Sequence, residues 1–229
     1  MLEVKNLSYH NLIHKISLNF SPGTITGILG PNGSGKTTFL KTLKHIWRPT
    51  TGEIFWKGAK LTQSHSDIMS LVPQNPQITF GFRVDEFLTM GCYPSPAANP
   101  EELATILQMM ELEELKERAI TEISGGERQR AYIGRSLMSQ APVLLLDEPL
   151  GNLDIHHRQR IWKILEDLAR EGKTIVITTH DLSVAEHLCD QIAVFSKGFC
   201  VERGNYPDVI TEKVLQEVFG CLATPLLHG

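Results

Sequence analysis

The sequence predicts an α/β fold: a mostly parallel sheet, an antiparallel β layer beside it, and an inserted helical subdomain. Three observations carry this. Apolar runs such as Thr24–Leu29, Val143–Leu146 and Lys173–Thr179 alternate with stretches of helical spacing, the pattern of parallel strands joined by helices. The early apolar runs at Leu2–Lys5 and Ile16–Phe20 are joined by a short polar turn instead, as antiparallel strands are. Between residues 75 and 140 the chain first turns rich in proline, glycine and aromatics and then becomes helical, so this segment reads as an insertion.

In chain order, the polar turn between the first two strands is expected at Tyr9–Lys15. Ser21-Pro22-Gly23 turns the chain into the strand Thr24–Leu29, after which Phe39, Leu40, Leu43 and Ile46 mark one face of a helix. Arg48-Pro49-Thr50-Thr51-Gly52 breaks that helix, and Glu53–Trp56 reads as an edge strand. Ser70–Gln74 is a short strand ended by Pro73. Leu103, Ile106, Leu107 and Met110 predict a helix from Glu101 to Arg118, and a second helix runs from Gly126 to Ser139. The run Val143–Leu146 before Asp147-Glu148 reads as a strand buried on both faces. Ile155–Arg170 is helical and capped by Glu171-Gly172, Lys173–Thr179 is a strand, and Asp181–Cys189 is a short helix. Gln191–Phe195 and Phe199–Glu202 are strands, and Asp208–Phe219 closes the chain as a helix. The α/β core is thus expected at 1–74 and 141–229, within a single domain.

The strand at 24–29 leads directly into Gly30-Pro31-Asn32-Gly33-Ser34-Gly35-Lys36-Thr37-Thr38 and then into a helix. This is G-x-x-x-x-G-K-T in strand–loop–helix context, the setting of a phosphate-binding P-loop. Its glycines let consecutive N–H groups turn inward on a polyphosphate, and the helix N-terminus behind them attracts anions. Lys36 reaches the β- and γ-phosphates, and the Thr37 hydroxyl is placed to ligate Mg²⁺. The fold class is therefore a P-loop NTPase core that binds a nucleoside triphosphate. Asp147, at a strand end, is suited to hold Mg²⁺ opposite Thr37, and Glu148 to orient or deprotonate the attacking water. Ser124-Gly125-Gly126-Glu127 opens an amphipathic helix. Alone it reads as an N-cap and turn or as a second anion site.

Composition narrows the remaining classes. The 229 residues, 41% hydrophobic, are enough for one substantial core. A formal charge of −4 and a pI near 6.1 leave no footprint for nucleic acid. Cys92, Cys189, Cys200 and Cys221 are scattered without C-x-x-C, so they read as ordinary reduced thiols. There is no apolar run long enough for a membrane span and no signal pattern at Met1–Lys5; work at a membrane would need a partner.

Taken together, the P-loop at 30–37, Pro73-Gln74, Ile123-Ser124-Gly125-Gly126-Glu127, Val143–Pro149, Leu153-Asp154 and His180 resemble the ATPase subunit of an ATP-binding-cassette transporter over essentially the whole chain. The resemblance implies that two copies pack head to tail, each ATP lying between one P-loop and the partner copy's Ser124–Glu127. It implies that Tyr9 stacks on adenine, that Gln74 touches Mg²⁺ or the attacking water, that His180 contacts the γ-phosphate, and that Asp154 couples the two sites. Ile123 stands where the family usually has leucine, and Gly151-Asn152 replaces a more typical small pair. The implied partners are polytopic membrane permease subunits and, indirectly, an extracytoplasmic solute-binding protein, with the chain held at the cytoplasmic face of the membrane. Phe80–Phe87 and Met90-Gly91-Cys92-Tyr93-Pro94 are similar to importers of iron-siderophores, haem and cobalamin, although Arg83 and Cys92 depart from that pattern. Importers of zinc and manganese are close relatives. The segment 75–100 is expected to face the permease, and the chain ends too soon after Gly220 for a further regulatory domain. Soluble members that serve DNA repair, chromosome organisation or translation would need a coiled-coil insertion, a second cassette or a basic surface.

Overall fold

The computed structural model describes residues 1–74, 79–92, 99–151 and 153–220. Two sheets form the frame. The first is antiparallel, in the order β2-β1-β4-β5, from β1 (Leu2–Tyr9), β2 (Ile13–Phe20), β4 (Thr51–Trp56) and β5 (Ala59–Leu61). Alternating burial of Leu2, Val4 and Leu7, and of Ile16, Leu18 and Phe20, turns one face of this layer to the core. The expected turn at 9–15 shrinks to residues 10–12, because the strands stay paired as far as Tyr9 opposite Ile13. Register shifts beyond Val4 absorb the mismatch, with Asn6 and Lys15 at positive φ. Glu53–Trp56 is not an edge: a hairpin to β5 covers it.

The second sheet has the order β10-β9-β3-β8-β7-β6, with β3 (Ile25–Leu29), β6 (Met69–Val72), β7 (Val143–Asp147), β8 (Thr174–Thr179), β9 (Gln191–Ser196) and β10 (Phe199–Gly204). All neighbours in it are parallel except β9 and β10. The strands β3, β7 and β8 are buried at every position, which is why they read as continuous apolar runs.

Helices α1 (Lys36–Leu43), α5 (Ile155–Arg170) and α6 (Leu182–Leu188) belong to this layer. Helix α1 stops before Ile46, which is 53% exposed, because His45 at φ 56° turns the chain away. The expected helix at 101–118 is shorter: α3 is Pro100–Met109, closed by Glu111 at φ 53°, and only a 3₁₀ turn at Glu113–Leu115 follows. The closing helix is broken into α7 (Tyr206–Val209) and α8 (Glu212–Phe219), with Thr211 capping the second. An element absent from the sequence reading is α2 (Val84–Thr89), inside the aromatic stretch. It buries Phe87 edge-on against Tyr132 of α4 (Gly125–Met138), so Phe87 is core, while Phe80 is 68% exposed. Tyr93–Ala98 and Asn75–Ile78 of the expected permease-facing segment lie outside the described residues. One apolar cluster joins the helices of 84–138 to Val72, Leu144, Leu146 and Ile177 of the parallel sheet.

Candidate active site

The sheet order β3-β8-β7-β6 sets four loops side by side along the carboxyl edge of the parallel strands, where open α/β sheets bind ligands. After β3 comes the P-loop, after β8 His180, after β7 Glu148, and after β6 Gln74.

The P-loop is packed to glycine dimensions. A Cβ at Gly30 would stand 2.3 Å from the Phe195 carbonyl oxygen. Gly35, at φ 105°, would meet Ile13 Cγ2 at 2.9 Å. Lys36, 5% exposed, points its ammonium back into the loop: Nζ donates to the Gly30 oxygen at 2.7 Å and the Pro31 oxygen at 3.2 Å. Its remaining direction faces Glu148 Oε1 at 3.4 Å. Ser34 Oγ is buried with no hydrogen-bond partner, a polar atom that an anion in the loop would satisfy. A cleft of about 380 Å³ opens here, lined by Asn32 through Thr38, Leu12, Gln74 and Glu148.

Glu148 is the meeting point. Its Oε2 accepts from Gln74 Nε2 at 3.0 Å and lies 3.1 Å from His180 Nδ1. Its backbone has φ 48°, in the left-handed region, a strain that its neighbours hold in place. Thr178 is the chief holder: its Oγ1 accepts from the Glu148 N–H at 2.9 Å and donates to Asp147 Oδ1 at 2.6 Å. Nothing in the sequence reading pointed to Thr178, although it stands two residues before His180 in Thr178-Thr179-His180-Asp181. Asp147 is 2% exposed, so its carboxylate sits at the floor of the site. Among the described residues there is no group of three or more His, Cys, Asp or Glu that could hold a metal. The oxygen donors Thr37, Asp147 and Gln74 instead match an ion that keeps most of its shell for water and phosphate, as Mg²⁺ does.

Other expected site residues lie apart from this cluster. Ser124 caps α4: its Oγ accepts from the Glu127 N–H at 3.3 Å, and Glu127 Oε2 accepts from the Ser124 N–H at 2.7 Å. These bonds hold the Glu127 carboxyl below its usual range. Asp154 caps α5, accepting from the His157 N–H at 2.9 Å, which lowers its pKa likewise. Gly125 and Gly126 begin α4, and a Cβ at Gly125 would meet nothing. The Tyr9 ring does not line the P-loop cleft: it stacks on Trp47 with centroids 5.3 Å apart. A larger groove of about 1090 Å³ runs between α1, β6 and α4, with Lys41, Lys44, Leu71, Met90, Tyr132 and Arg135 in its walls.

Known proteins similar to this chain match it over most of its length. The family model described as ABC transporter matches residues 13–151. The hemin import ATP-binding protein HmuV of Shewanella denitrificans is 33% identical, over 93% of this chain and 89% of the relative. The iron(3+)-hydroxamate import ATP-binding protein FhuC of Bacillus subtilis is also 33% identical, over 91% of this chain and 82% of the relative. Among solved structures, a dimeric ATP-binding cassette in a post-hydrolysis state with ADP and Pi superposes with a TM-score of 0.81. It is 26% identical and covers 90% of this chain and 99% of its own.

Proposed function

The chain belongs to the ABC transporter family as an ATP-hydrolysing subunit, and from that premise we propose that it powers uptake of a metal chelate of the haem, siderophore or cobalamin type through a separate membrane permease. The names of its relatives support the solute class. Zinc or manganese import is the alternative. The permease holds the chain at the cytoplasmic face of the membrane; no helix of the described residues is long and apolar enough to cross one. Its docking surface is the segment 75–100 together with the groove between α1, β6 and α4. We assign 1–74 and 141–229 to the nucleotide-binding core and 75–140 to the helical arm that carries Ser124–Glu127.

The observation that carries the enzymatic reading is the convergence of Lys36, Gln74 and His180 on Glu148. The P-loop amides and Lys36 bind the phosphates of ATP. Thr37, Asp147 and Gln74 would hold Mg²⁺, which would supply positive charge against the phosphates. Glu148 accepts a proton from the water whose oxygen bonds to the γ-phosphorus, and the bond to the β-phosphate oxygen breaks to release ADP. Gln74 and His180 orient the carboxylate and the water. A second copy closes the site with its own Ser124, Gly125, Gly126 and Glu127, and Asp154 of each copy faces the other.

The test is Glu148→Gln. An amide keeps the hydrogen bonds but accepts no proton, so turnover is expected to fall about 10²–10⁴-fold, the usual weight of a general base. ATP binding persists, and size-exclusion chromatography with Mg-ATP shows an accumulated dimer. Turnover near the wild-type rate would remove Glu148 from the role of base. Stimulation of the permease-reconstituted ATPase by zinc or manganese salts, and not by ferric chelates or haem, would favour the alternative solute.

A further inference from the structure

Glu148 and His180 follow neighbouring strands, and both lie just beyond the ladder. The last paired residues are Asp147 and Thr178 of β7 and β8. The Glu148 N–H still donates to the Thr178 oxygen at 3.2 Å; the chain then continues as Pro149-Leu150-Gly151 on one side and as Thr179-His180-Asp181 on the other. A cavity of about 120 Å³ lies between them, lined by Glu148, Leu150, Thr179, His180, Asp181 and Arg158. Beyond the Glu148–His180 contact itself, the cavity leaves these two loops without close packing between them.

Arg158 spans this gap. It stands in the first turn of α5, where its N–H donates to the Asp154 oxygen at 2.9 Å. Its Nη1 donates to Asp181 Oδ2 at 3.1 Å, and its Nη2 reaches the Leu150 carbonyl at 3.5 Å. One planar guanidinium thus addresses the loop after Glu148 and the loop of His180 together, a geometry that an ammonium cannot reproduce. Asp181 is itself fixed: its N–H donates to Thr179 Oγ1 at 3.0 Å, and its Oδ1 accepts from the Ser183 N–H at 2.9 Å. The buried Arg158 Nε has no partner, so the side chain keeps this pose with one donor unsatisfied.

We propose that Arg158 is a positioning residue for ATP hydrolysis, tying the loop that follows Glu148 to the loop of His180 so that carboxylate and imidazole stay in register. The proposal rests on the reading of Glu148 as the base. Arg158 touches neither nucleotide nor water; it acts through the two residues that do. Its place one turn from Asp154 also makes it a rigid link from the dimer-facing end of α5 to the hydrolytic pair.

The experiment uses the full chain with the variants Arg158→Ala, Arg158→Lys, Asp181→Asn and the double Arg158→Ala/Asp181→Asn, with Glu148→Gln as control. Asparagine keeps the oxygen that caps α6 and turns its NH₂ toward Arg158, so Asp181→Asn removes the charge and the acceptor of Nη1 while sparing the cap. Arg158→Ala is expected to lower kcat about tenfold to hundredfold, the loss typical of a misplaced catalytic group. Calorimetric ATP affinity should stay within about twofold, since the P-loop is untouched. The double variant should be no slower than Arg158→Ala, because both remove one tie. Arg158→Lys, which keeps the charge but not the fork, should recover only part of kcat. A wild-type kcat in Arg158→Ala with an inactive Glu148→Gln would overturn the positioning role alone. A fully active Glu148→Gln would overturn the base reading and the proposal with it. A parallel loss of melting temperature, ATP affinity and kcat in both Arg158→Lys and Asp181→Asn would make the tie merely structural and overturn it as well.

Discussion

Single residues in this protein are set by partners far away in sequence. Gly30 illustrates the limit: the Phe195 oxygen leaves no room for a Cβ. Gly30→Ala is expected to push the loop outward, and calorimetry should show ATP affinity lost before the fold is. Lys44 shows a different constraint. Burial lowers its pKa to about 8 from 10.5, while its Nζ donates to the His65 oxygen at 2.9 Å. Between those pH values the unfolded chain binds more protons than the folded one, so this group's contribution to stability rises as pH rises from about 8 to 10.5. Lys44→Met should therefore melt higher than the wild type at pH 7, with the gap closing toward pH 10.5; the His65 oxygen keeps the Met69 N–H. A gap independent of pH would place the effect in packing instead. The P-loop was legible because its chemistry is written in consecutive residues. Thr178 and the Tyr9–Trp47 stack were not, since each gains its meaning from a residue roughly 30 to 40 places away.

At the scale of elements, period and capping chemistry were the readable signals. Helix α5 follows its apolar spacing from Ile155 to Arg170, and β7 and β8 their unbroken apolar runs. Helix α2 escaped because six residues among aromatics and glycine give too short a period, although Val84, Phe87 and Leu88 do fall on one face. Helix α3 ended early at Glu111, whose side chain is claimed by other elements. It faces Arg160 Nη1 at 2.8 Å, Arg130 Nη1 at 3.4 Å and His157 Nε2 at 3.6 Å, and so joins α3, α4 and α5. The Arg130 side chain is only 6% exposed. Glu111→Ala would take away the ion-pair partner of that buried charge, leaving it only the fields of Glu127 and Asp154. Breaking a fully buried pair costs about 3–5 kcal/mol; for a carboxylate as open as Glu111 about 1–3 kcal/mol is expected, read from urea unfolding. A loss below about 0.5 kcal/mol, within the range of an exposed pair, would show that Arg130 finds water instead.

For the whole molecule, the fold class followed from alternation of strand and helix, whereas the order β10-β9-β3-β8-β7-β6 could not be read from any local pattern. That order is what aligns Gln74, Glu148, His180 and the P-loop on one edge. The proposed assembly gives the P-loop and Ser124–Glu127 unlike roles toward the same anion, and in it each copy completes the other's site. Sedimentation of Glu148→Gln should accordingly show monomers without nucleotide and a two-fold dimer with Mg-ATP; a dimer whose population ignores ATP would count against that arrangement. The capping box at Ser124 bears on how such a dimer forms. A serine hydroxyl has one hydrogen to give and two lone pairs. The cap uses a lone pair toward the Glu127 N–H, and the hydroxyl hydrogen is within reach of the Glu127 carboxylate. A phosphate oxygen would draw that hydrogen from Glu127, with the rotamer already chosen. The freezing of that side chain is thus a cost of folding, met before two copies collide, and the two-fold axis counts the entropy saved at both sites.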